Sequence, residues 1–284
     1  LARVYQSIPI GITVEGANIL TRNLIIFGQG SIRSHPYIIQ EMAVLALDDQ
    51  EQAVINLDRI LIKHLGYTLN NIGRSFLFSL SKGYGSQAPT LPLTRYFQQL
   101  NHLSAALAVA TDFSLASLGG TLKRKESLSA RLGDVLSQLY LASCTLRHFQ
   151  HQQSAGDQPL AEWACTHAIY QAQQALLGVI DNFPNRFLAG LLRLIIFPLG
   201  PRYKAPSDHL SHTVSALLMQ PSEVRNRLIK GIHQPQNPSD PLAQLESALV
   251  QCVAADPIEK RLRKSGIEVI DDALSSGFIT EAEY

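Results

Sequence analysis

Glu15 is the residue of this chain best placed for chemistry, and the chemistry open to it is proton transfer. It stands in the run Ile8-Pro9-Ile10-Gly11-Ile12-Thr13-Val14-Glu15-Gly16-Ala17-Asn18-Ile19-Leu20-Thr21-Arg22, on a turn that opens a long apolar helix. A carboxylate at a helix start is favoured by the macrodipole, so its ordinary use is as a cap. Ser7, Ser31 and Ser34 lack the glycines of a nucleophile elbow, and His35 alone makes no triad. Gly28 and Gly30 form half a dinucleotide fingerprint, but no strand precedes them and, with His35-Pro36 after them, they read as the end of a helix. His148 with His151, and His209 with His212, have a spacing that can align two imidazoles on one helix face. Both pairs read as surface or interface histidines, and no metal site is expected.

The elements that must position Glu15 are helices. Apolar residues Ile19, Leu20, Ile26 and Phe27 recur at helical spacing after it, with Pro9 and Gly11 breaking the fragment before it. Helices are expected over 37–47 and 49–80, the second with Val54, Leu57, Ile60, Leu61, Leu65 and Leu69 on one face. The run from Gly83 to Pro92 is the strongest linker. Two long helical segments then fill 93–153, split near Gly119-Gly120, and another runs over 159–179. Shorter helices are expected over 207–219, 221–230, 240–254 and 256–265, punctuated by Pro221, Pro235, Pro238, Pro241 and Pro257. No strand pattern of convincing length occurs, so the fold class is all-α.

Hydrophobic residues make up 46% and charged residues 17% of the 284, too apolar for disorder and consistent with much covered surface, as in an oligomer or beside a partner domain. A net charge of +1 gives no reason to expect nucleic acid. Three widely spaced cysteines suggest neither a disulfide framework nor zinc, and a reducing cytoplasm fits them. Residues 186–197 are the most apolar run, too short to span a bilayer and interrupted by Arg193. They suit a buried bundle or dimer helix, with peripheral contact at the inner membrane as the alternative. Leu1 to Tyr5 read like the middle of a helix, so the chain is expected to be cut from a longer one.

The run from Pro9 to Asn18 resembles the catalytic-base segment of acyl-CoA dehydrogenases, in its bacterial long-chain form. That family carries glutamate, glycine, then threonine or similar, with an arginine seven residues after the glutamate, which here reads Glu15, Gly16, Ala17 and Arg22. Val14 stands where many members have an aromatic and Ala17 where many have a hydroxyl, and both suit the bacterial subgroup. Gly133-Asp134-Val135-Leu136-Ser137, Leu139-Tyr140-Leu141-Ala142 and the segment Phe197 to Asp208 are similar to the same subgroup, so the resemblance covers nearly the whole chain.

The resemblance implies that Glu15 is the catalytic base and that its backbone N–H polarises an acyl thioester. It implies that Gly16 and Ala17 adjoin FAD, and that Arg22 is an ion-pair or packing residue. Residues 1–82 are then the C-terminal part of a dehydrogenase helical domain, 83–92 a linker and 93–284 an additional helical domain. The expected function is oxidation of long-chain acyl-CoA to trans-2-enoyl-CoA in fatty-acid β-oxidation. FAD is expected to be held mainly by N-terminal and middle domains outside this chain, which leaves the chain alone inactive. The implied partners are acyl-CoA, those domains, an electron-transfer acceptor and further copies of the same protein. A non-catalytic helical scaffold, or a membrane- or partner-docking module, is the alternative.

Overall fold

The computed structural model of the chain describes residues 2–14, 27–90, 92–152, 154–233, 235, 237–281 and 283–284, with backbone alone for 9–14. Among the described residues there are twelve α-helices and no strand, so the all-α class is observed. They are α1 (Ala2–Val14), α2 (Gly30–Ser34), α3 (Ile38–Leu45), α4 (Gln50–Ser81), α5 (Thr94–Leu118), α6 (Glu126–Gln152), α7 (Gln158–Asp181), α8 (Arg186–Ile196), α9 (Asp208–Leu218), α10 (Glu223–Leu228), α11 (Pro241–Ser265) and α12 (Ile270–Ser275).

Side-chain oxygens fix several helix starts by taking orphan backbone N–H groups. Asp49 accepts from Gln52 at the start of α4, and Asn185 from Phe187 and Leu188 at the start of α8. Ser207, Ser222 and Asp240 do the same for α9, α10 and α11.

The chain forms two compact units, one of residues 1–154 with 160–206, the other of 155–159 with 207–284. In the first, α5 packs against α4, α6 and α8, and α3 packs on α4. Its core holds Leu103, Val109, Leu132, Val135, Leu146, Ile169, Leu176, Ile180, Leu192 and Ile196, all fully enclosed. α5 is long and apolar enough to cross a membrane by composition, and its place between three helices accounts for that composition. The buried residues of α8 are Ala189, Leu192, Ile195 and Ile196, while Arg193, which interrupts the apolar run, pairs with Asp181. In the second unit α9 packs on α10, Arg225 joins α10 to Glu246 of α11 at 2.6 Å, and Arg227 grips Asp157 through two hydrogen bonds.

Four sequence expectations are corrected. Pro9 does not break α1, which runs through it, and Pro257 lies inside an unbroken α11. A proline removes one backbone donor and crowds the carbonyl four residues back, and α11, with no buried residue, can bend outward to absorb this. Gly28 and Gly30 lie within helical turns instead of ending the helix, which stops, as expected, at His35-Pro36, where the residue before proline turns extended (ψ 130°). The apolar stripe of α4 faces outward: Val54, Leu61, Leu65 and Leu69 are exposed. The buried side of α4 is Asn71, Ser75 and Ser79, small enough for α5 to lie close.

Candidate functional site

Four elements of the first unit bring together two imidazoles and two carboxylates. His35 ends α2, Glu41 lies on α3, His64 and Thr68 share one face of α4 four residues apart, and Asp112 comes from α5. Pro36 forces the turn that starts α3, and this turn aims the backbone N–H groups of Tyr37 and Ile38 at Nδ1 of His35, at 3.2 and 3.3 Å.

Those two donors settle the protonation of His35. Nδ1 accepts, so Nε2 carries the hydrogen and donates it to Oδ1 of Asp112 at 3.0 Å. The other Asp112 oxygen accepts from the Thr68 hydroxyl at 2.7 Å. Nδ1–H of His64 donates to Oε1 of Glu41 at 2.6 Å, which leaves Nε2 of His64 facing Oδ1 of Asp112 at 3.9 Å. Tyr37 stacks on His64 with the rings 19° apart, and Tyr67 meets His35 edge-on. The His35 and Asp112 side chains are only 7% and 5% exposed, so the pair acts in a low dielectric where an unmet donor is costly.

The cluster forms the polar end of a cavity of about 980 Å³. Phe27, Met42, Leu61, Leu65, Phe113 and Leu188 are among its apolar walls, and Lys123 is the one lysine or arginine among its described lining residues. Its size and apolar character suit an extended hydrocarbon.

His35, His64 and Asp112 can each offer one ligand atom such that all three lie within 4.8 Å of one another, as metal ligands can, and Nε2 of His35 is the nitrogen that faces Asp112. The hydrogen on His35 Nε2 argues otherwise, because turning that nitrogen into a ligand would sacrifice both backbone donors on Nδ1. His64 and Asp112 alone fall short of the three or four protein ligands of a transition-metal site. The arrangement suits anchoring: it ties the segment from His35 to α3 onto α4 and α5.

Glu15, Gly16 and Ala17, like Arg22, lie outside the described residues. His148, His151, His209 and His212 are all exposed. The His35–His64–Asp112 cluster escaped the sequence reading because 29 and 48 positions separate its members in the chain. The usable signal was the turn-forming His35-Pro36 followed by a helix with an early acid.

A second polar assembly is fully enclosed. His102 of α5 accepts from the Tyr203 hydroxyl on Nδ1 at 2.7 Å and donates from Nε2 to the Ile196 carbonyl at 3.3 Å. Gln173 of α7 satisfies both backbone groups of Tyr203, at 2.8 and 2.9 Å. Burial lowers His102 to about 4, against the smaller opposing effect of the Ile196 carbonyl, and raises the Tyr203 phenol. Both side chains therefore stay neutral at pH 7 and staple α5 to the segment after α8.

A family model described as acyl-CoA dehydrogenase, C-terminal, bacterial type, matches residues 32–284. No solved structure matches the chain.

Proposed function

This chain belongs to the bacterial-type acyl-CoA dehydrogenase C-terminal family, and from that membership we propose that it completes a flavin-dependent dehydrogenase acting on long-chain acyl-CoA in fatty-acid β-oxidation. The observation that carries the proposal is the family match over 32–284, which begins 17 residues after Glu15 in a chain whose Glu15-Gly16 pair has the form of the family's base segment (32 − 15 = 17).

In the proposed reaction the carboxylate of Glu15 takes the α-proton of the thioester, and its backbone N–H steadies the enolate-like charge on the carbonyl oxygen. A bound FAD would supply the acceptor for the β-hydride, so that the product would be a trans-2-enoyl thioester, and Gly16 and Ala17 are the residues of this chain that would adjoin it. The described residues that line the cavity do not fit the whole of FAD. Its pyrophosphate needs cations or converging N–H groups, whereas the polar end of the cavity presents Glu41 and Asp112. This supports a flavin held mainly by domains outside the chain.

Glu15→Gln in the full-length dehydrogenase tests the reading. The flavin spectrum and flavin content should be retained while turnover of a long-chain acyl-CoA falls by roughly 100-fold or more, as expected when a general base is removed. Near-normal turnover defeats the assignment.

A further inference from the structure

The C-terminal end of α4 gathers four cations that nothing above accounts for. Lys82 caps the helix in the left-handed conformation, φ 54°. Next to it Gly83 lies so close to α5 that a Cβ there would stand 1.9 Å from the Gln98 carbonyl oxygen, so this corner is fixed in place. Arg95, in the first turn of α5, is held by three contacts. Nη1 donates to Oε1 of Gln98 at 2.6 Å, Nη2 donates to the Lys82 carbonyl at 3.3 Å, and the guanidinium lies 5.2 Å from the centre of the Tyr84 ring. Arg202 arrives from the segment after α8 and donates Nη1 to the Leu80 carbonyl at 2.9 Å. Lys204 follows two residues later. Lys82 and Arg202 also share the wall of a small depression with Ser79 and Tyr203. Burial lowers the Lys82 pKa, and the positive charges of Arg202, Arg95 and Lys204 lower it further.

The helix end explains only part of this. Its unmet carbonyls and a dipole of about half a negative charge favour one or two cations, and Arg95 and Arg202 each spend one N–H on them. Two ammonium groups and the remaining guanidinium donors are left over. Among the described residues no carboxylate forms an ion pair with any of the four. In a chain with 24 basic and 23 acidic residues, that is a local excess of mutually repelling charge. A multiply charged anion would relieve the repulsion, and the planar guanidinium forks match phosphate oxygens.

We propose that Lys82, Arg95, Arg202 and Lys204 form a binding site for a phosphate-bearing ligand, with Arg95 preset by Gln98, Tyr84 and the end of α4. The shared chemistry is a phosphate group with at least one neighbouring charge, supplied either by a soluble polyphosphate ester or by the headgroup of an anionic phospholipid.

Calorimetric titration of the full chain with inorganic pyrophosphate at low ionic strength tests the site. One saturable event is expected. The double variant Lys82→Gln with Lys204→Gln, which removes no recorded hydrogen bond, should weaken it roughly tenfold or more at unchanged helicity. Lys264→Gln, in the other dense run of cations, should leave it as it is. Co-sedimentation with phosphatidylglycerol-containing vesicles, against pure phosphatidylcholine, separates the sources. Retention on the charged vesicles that the double variant loses assigns a headgroup, and pyrophosphate binding without retention assigns a soluble ligand. The proposal is overturned if neither probe binds, if the double variant binds like the parent, or if Lys264→Gln weakens binding equally.

Discussion

The Nε2–H of His35 points at Oδ1 of Asp112 across 3.0 Å, joining residues 77 positions apart. The same carboxylate holds Thr68, so one acceptor group secures two donors from two separate elements. Removing it leaves both unmet in a largely buried site.

Asp112→Ala should therefore destabilise the chain by about 1–3 kcal/mol, and Asp112→Asn by roughly half of that, since one amide oxygen can serve only one of the donors. Urea unfolding of the variants measures this. An Asp112→Ala midpoint equal to the parent's would show that the cluster anchors nothing.

His102 sets a pH dependence whose sign follows from its lowered pKa. The folded chain releases its proton down to about 4 whereas the unfolded chain binds one near 6.5, so the folded state binds fewer protons in between. The contribution is complete above pH 6.5 and lost as pH falls towards 4, on the order of 3 kcal/mol in all. Unfolding midpoints measured from pH 7.5 to 4.5 should fall less steeply for His102→Phe, and equal slopes would contradict the neutral-imidazole staple.

Gly83 and Gly85 make a matched pair. Both have left-handed φ, 79° and 85°, but a Cβ at Gly83 collides with the Gln98 backbone whereas one at Gly85 meets nothing within 4 Å. Gly85→Ala should cost about 1–2 kcal/mol from backbone conformation alone. Gly83→Ala should cost clearly more, because α4 and α5 must move apart; equal melting temperatures would refute the close approach.

Ser75 is enclosed, and among the described residues its hydroxyl has no hydrogen-bond partner. Replacing an unmet hydroxyl by a methyl-sized group in a helix removes a desolvation cost and gains propensity, so Ser75→Ala should stabilise by about 1 kcal/mol. Differential scanning calorimetry reads the shift, and a lower melting temperature would mean that the hydroxyl is in fact satisfied.

The helical frame was legible where local chemistry decided it. The expected helix over 49–80 is α4 at 50–81, and the apolar run from Arg186 to Phe197 gives α8, because apolar spacing and stop signals act within a few residues. The misreadings share one cause. Pro9 and Pro257 carry a local penalty that a long exposed helix can absorb, and the stripe of α4 reveals that a face is apolar without revealing what it meets. For Glu15 the base assignment came from family resemblance, whereas the His35–His64–Asp112 cluster depends on α2, α4 and α5 meeting in space, which no spacing along the chain encodes.

The outward stripe of α4 has a thermodynamic consequence. Unfolding a helix of 32 residues ordinarily brings a whole hydrophobic face into water, yet here Val54, Leu61, Leu65 and Leu69 are already exposed, Leu57, Ile60 and Ile72 are only half-buried, and the fully buried side chains are Asn71, Ser75 and Ser79. The denaturant sensitivity and the heat-capacity increment of this chain should accordingly fall below those usual for its length, since both track newly hydrated surface and the second depends chiefly on carbon.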